Sequence, residues 1–111
     1  MTSPRVLVVG REPQVVGAVV GAVVEAVGRH TVATGATRDA DALAELAGGG
    51  VTLLVVGGGV EGRSRELLRA GAQAHGVPVV ESPLRGEEVE SYVRREVLPR
   101  LTAHGTGGPA R

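Results

Sequence analysis

Apolar and polar positions come in alternating blocks along the chain. Val6 to Val9, bounded by Arg5 and Gly10, is a short apolar run of the kind found in strands buried on both faces. Glu12 to Gly28 has a helical period, with Pro13 suited to the first turn. Its valines at 15, 16, 19, 20, 23, 24 and 27 fall on one arc, with Gln14, Gly17, Gly21, Glu25 and Gly28 opposite. Thr31 to Thr34 reads as a second, weaker strand. Thr37 is placed to cap a second helix, with Asp39 and Asp41 near its positive end and Gly48 to Gly50 closing it. Val51 to Val56 is a third strand, followed by Gly57, Gly58 and Gly59. Ser64, as N-cap, opens a third helix that runs to His75 and stops at Gly76. Val77 to Val80 is a fourth strand, and Gly86 to about Thr102 a last helix. In that helix Glu90–Arg94 and Glu96–Arg100 are spaced as ion pairs, and Pro99 should kink or end it near Glu96 to Leu98.

Four successive βα units predict an α/β fold: a doubly wound parallel sheet of four strands inside a three-layer α/β/α sandwich. The first and third strands are the most apolar and should be central, which gives the order 2-1-3-4. Residues 1–103 form one domain, and 104–111 read as a mobile tail. In such sheets ligands bind at the carboxyl ends of the strands, where the winding reverses. Here that crevice is lined by Gly10, Arg11, Glu12, Gly57, Gly58 and Gly59.

Composition narrows the chemistry. At 111 residues the chain fits one small domain. It has no Cys, so neither a disulfide framework nor a thiolate site is available. Twelve acids balance 12 cationic side chains, all of them Arg, and no basic stripe marks a nucleic-acid partner. Tyr92 is the single aromatic residue and cannot form a base-stacking platform. The longest apolar stretch, Val15 to Val27, contains Glu25 and is too short to span a membrane. No secretory signal is read at the N-terminus, so a cytoplasmic protein is expected. His30, His75 and His104 lie in separate places, no Ser–His–Asp pattern stands out, and neither a metal nor a cofactor is expected.

Several local patterns resemble a response-regulator receiver domain. Val6 to Pro13 is similar to that family's first strand and the Glu-Pro that often follows it. Thr37 to Leu46 resembles its second helix, Thr52 to Val56 its third strand, and Val77 to Val80 its fourth. Ser82 to Val89 resembles the Lys-Pro-Phe segment that opens its last helix. The resemblance covers residues 5 to 101 and implies a flavodoxin-like fold with one βα unit missing, in a bacterial signalling protein. The family's chemistry does not carry over. The acidic pair that holds Mg²⁺ aligns with Gly10 and Arg11, and the phosphoacceptor Asp with Gly57. The family's Lys aligns with Ser82. The resemblance therefore implies a pseudo-receiver that cannot accept phosphate on Asp.

The expected function is non-catalytic: a signalling or scaffold domain that acts through protein contacts, including a homodimer. The expected interface is the small-residue side of the first helix, Gly17, Ala18, Gly21, Ala22 and Glu25, with Tyr92 on the last helix. A second reading stays open: a small-ligand or nucleotide module that holds an anion with Arg11 and the Gly57 to Gly59 loop, near Gly10, Glu12 and Ser82.

Overall fold

The computed structural model describes residues 4–28, 31–81 and 88–105. Four parallel strands, β1 (Arg5–Val9), β2 (Val32–Ala36), β3 (Leu53–Val56) and β4 (Val79–Val80), form one sheet in the order β2-β1-β3-β4. The predicted order is therefore the observed one. Its cause is burial: all four residues of β3 and Val6 to Val9 of β1 are buried, whereas Val32 of β2 is 47% exposed. A strand without a polar face is stable only with layers on both sides. Val6, Val8, Leu53, Val55 and Val80 face one layer; Leu7, Val9, Leu54 and Val56 face the other.

The first layer holds α1 (Pro13–Val27) and the final helical segment, in which α4 (Val89–Tyr92), a π-helical stretch (Val93–Val97) and α5 (Leu98–Gly105) run end to end. The second holds α2 (Asp39–Ala47) and α3 (Gly62–Ala74). The valine arc of α1 is narrower than its spacing suggested. Val16, Val19 and Val23 are buried, but Val15 is 44% exposed. Ala22, expected on the outer interface row, is buried too, because the inward face of α1 is shared between the sheet and the final helix. Tyr92 is likewise not an interface residue. It is 3% exposed and packs in the core with Val93 and Val97, as the only side chain with aromatic volume to fill that layer.

Pro99 neither ends nor breaks the final helix. Proline has no N–H to donate, and its ring clashes with the carbonyl four residues back. The turn before it widens to π geometry, with the Leu98 N–H bonded to the Val93 carbonyl. The Arg100 guanidinium donates to the Glu96 carbonyl at 2.9 Å. The expected Glu96–Arg100 pair is present at 3.5 Å. Glu96 also pairs with Arg95, while Glu90 and Arg94 form no ion pair among the described residues. No helix among the described residues is long and apolar enough to cross a membrane.

Geometry requires glycine at Gly76 and Gly35 for two different reasons. Gly76, at φ +67°, ends α3 so that the Val77 N–H reaches the Ala72 carbonyl at 2.8 Å, and its own N–H reaches the Gln73 carbonyl at 3.1 Å. A Cβ at Gly35 would stand 2.5 Å from Val16 Cγ1, so α1 lies on β2 only because that position is bare. Gly17 and Gly21 differ: a Cβ on either meets nothing within 4 Å. In denaturant titrations Gly35→Ala should cost about 1–3 kcal/mol by overpacking. At protein concentrations low enough to keep the chain monomeric, Gly17→Ala should instead stabilise it by up to about 1 kcal/mol, the helix-propensity difference.

Candidate functional site

The loops after β1 and β3 meet at the carboxyl edge of the sheet. The Gly10 N–H bonds to the Ala36 carbonyl at 3.1 Å, and the Gly57 N–H to the Val9 carbonyl at 2.8 Å. A Cβ at Gly57 would stand 3.6 Å from Gly10 Cα, so bare backbone faces bare backbone at the switch point. Gly10, Gly57 and Gly58, with valines of α1 and Tyr92, line a small apolar cavity of about 60 Å³. Gly59 is exposed in the turn that joins the Gly57 carbonyl to the Val60 N–H. None of Gly57 to Gly59 adopts positive φ, so the turn lacks the left-handed residue of an anion-binding nest.

Arg11 does not point into that cavity. Its guanidinium turns to the α2–α3 side and donates to the Thr37 carbonyl at 2.8 Å, Asp39 Oδ1 at 2.8 Å, Ser64 Oγ at 2.9 Å and Glu61 Oε1 at 2.9 Å. The Ser64 hydroxyl donates to the other Asp39 oxygen, Oδ2, at 2.5 Å. One guanidinium thus faces two carboxylates, and a bound anion would meet a cluster already negative in sum. Ser64 is accordingly not the N-cap of α3. Glu61 takes that place, and Ser64, in the first turn, is buried against Asp39. Thr37 does not cap α2 either. Arg38 is the N-cap, without a side-chain bond, and Thr37 contributes its carbonyl to Arg11.

A second cluster lies beside the first. Arg65 donates to the carbonyls of Val60 and Gly57, both at 2.8 Å, and to Glu81 at 3.2 Å. Arg69 forks onto both Glu81 oxygens at 2.8 and 2.9 Å. Such bidentate pairs are the stronger form of ion pair. The Gly57 to Val60 turn is therefore held from beneath by a cation bonded to its carbonyls.

These contacts shift the acids. The Ser64 hydroxyl and the Arg11 guanidinium hold the Asp39 carboxyl below its ordinary range. Its own backbone amide and Arg11 do the same for Glu61, and Arg69 does so for Glu81. Arg11 is in turn held further toward its charged form, mainly by Asp39.

Of the residues read as a crevice, the structure brings Gly10, Gly57 and Gly58 together. Arg11 is turned away from them, and Glu12 is exposed, supplying a carbonyl to the first turn of α1. Ser82 lies outside the described residues. The partners of Arg11 were not read from the sequence. Their shared signal is position, since Asp39, Glu61 and Arg11 each fall shortly after the end of a strand. No cluster of three His, Asp or Glu side chains with metal-binding geometry occurs among the described residues. Comparison with protein-family models, curated proteins and solved structures finds no match for the chain.

All three depressed acids bind more protons unfolded than folded near their midpoints, so stability should rise with pH there. Their contribution is full above the ordinary carboxylate range of about 4 and is lost as pH falls through and below it. Urea titrations across that window should show this loss. Arg11→Met should lower stability at neutral pH by about 1–2 kcal/mol and flatten the acid limb.

Proposed function

We propose that this chain is a receiver-like signalling or scaffold domain that works by protein contact in the cytoplasm and does not transfer phosphate on Asp. The observation that carries the reading is the state of the carboxyl edge. In doubly wound sheets that edge presents reactive groups to a ligand. Here Arg11, Asp39, Ser64 and Glu61 are bonded to one another, and Gly10 and Gly57 present no side chain between β1 and β3. The groups stabilise the loops and, among the described residues, leave no oxygen set at the switch point for a hard cation.

The contact surface in this reading is the outer side of α1. Gly17, Ala18, Gly21 and Glu25 are exposed there, and with Ala22 they line an open groove against the start of α4. Glycine inside a helix costs about 1 kcal/mol relative to alanine. Gly17 and Gly21 carry that cost although the described residues leave room for a Cβ at both. Close approach by a second copy accounts for both residues, and a homodimer through α1 is the expected assembly.

Two measurements test the reading. Incubation with acetyl phosphate and Mg²⁺ should leave the intact mass unchanged; a phosphoryl adduct on Asp39 or Asp41 contradicts it. Sedimentation equilibrium should show a dimer that Gly17→Leu dissociates, with the variant monomer still folded by far-UV circular dichroism and its unfolding temperature no longer dependent on protein concentration. A wild-type chain that stays monomeric at high concentration removes the homodimer.

A further inference from the structure

The cavity at the switch point has a chemistry of its own. Val8 and Val55 form its sheet wall, and Val16 and Val19 its helix wall. Tyr92 closes the inner end and is buried. The two exposed residues of its lining, Val15 and Gly58, mark the opening toward solvent. Gly58 carries no side chain there, so among the described lining residues Val15 is the exposed side chain at the opening.

Water has little reason to occupy this space. A buried water needs two to four polar partners, and apolar cavities stay dry and accept non-polar guests instead. Among the described residues, the charged side chains around Arg11 and Arg65 are bonded on the opposite face of the sheet, and the cavity lining is mainly valine and glycine. A guest would gain dispersion contacts with valine methyls that face a gap. The volume, about 60 Å³, also exceeds one methylene, so a single added methyl on the wall would reduce it and not overfill it.

We propose that this cavity is a binding site for a small non-polar molecule, with room for on the order of four heavy atoms. The guest enters past Val15 and Gly58 and packs against Tyr92. The place where doubly wound sheets hold charged ligands thus selects the opposite ligand class in this chain. The proposal does not depend on the protein-contact reading, because it concerns the inner side of α1 and not the outer one.

The chain itself supplies the reporter. Tyr92 is the only Tyr, and no Trp or Phe is present, so intrinsic emission comes from the cavity's inner wall. Dissolved xenon, an apolar heavy atom, should quench that emission in the full chain. Iodide should not, because Tyr92 is 3% exposed. Propane should relieve the xenon quenching by competition. Val19→Ile and Val55→Ile, each checked for folding by far-UV circular dichroism, should lose most of the xenon effect. Val32→Ile, which adds the same methyl at an exposed edge position, should retain it. Xenon should also shift the methyl resonances of Val8 and Val16, which reports occupancy without fluorescence. Equal quenching by xenon and iodide overturns the proposal, as does xenon quenching that survives in folded Val19→Ile and Val55→Ile. Failure of propane to compete overturns the assignment of ligand class.

Discussion

A single guanidinium, that of Arg11, ties together the chain turns that come after β1, β2 and β3. The hydrophobic layers alone do not determine those turns. Burial of β1 and β3 on both faces requires helices above and below the sheet, but it leaves the polar loops at the carboxyl edge to be organised separately. Arg11 does this from one loop by reaching Thr37 and the first residue of α2, Asp39, on one side, and Glu61 and Ser64 at the start of α3 on the other. The starts of α2 and α3 are thereby set against the end of β1. Its planar fork suits the task, because it offers several fixed N–H directions at once.

That arrangement decides what the edge can do. A carboxylate that accepts from both Ser64 and Arg11 is a structural acceptor, held in its charged form and occupied on both oxygens. The Arg65–Arg69–Glu81 cluster extends the same condition to the ends of β3 and β4. On the other face the space beside Gly10 and Gly57 is lined by valines and Tyr92. One edge of one sheet thus has a closed polar side and an apolar void. Function is argued from such sites and not from the fold.

The sheet order was legible because its signal is local. Val6 to Val9 and Leu53 to Val56 have no polar face, so they could only be central strands. Strand ends were less legible. β2 runs on through Gly35 and Ala36, where a glycine weakens strand propensity but lets Val16 pack closely. The cap assignments of Thr37 and Ser64 failed for a shared reason: their polar groups serve long-range partners. The bonds from Arg11 span 26 to 53 residues, a distance at which periodicity and capping rules carry no information. Tyr92 was expected at the outer edge of the last helix but is buried. It stands three residues after Val89 and next to Val93, on the margin of the buried face, and its large ring is drawn into the core there.

The central claim is that Arg11 and Asp39 act as one structural unit and not as free groups at a ligand site. A double-mutant cycle tests it most directly. Unfolding free energies are measured for the wild type, Arg11→Met, Asp39→Asn and the double variant at neutral pH. Coupling of about 1 kcal/mol between the two positions is predicted, within the range for residues in one hydrogen-bonded network. Additivity within about 0.3 kcal/mol would contradict the account, since that is the behaviour of independent sites.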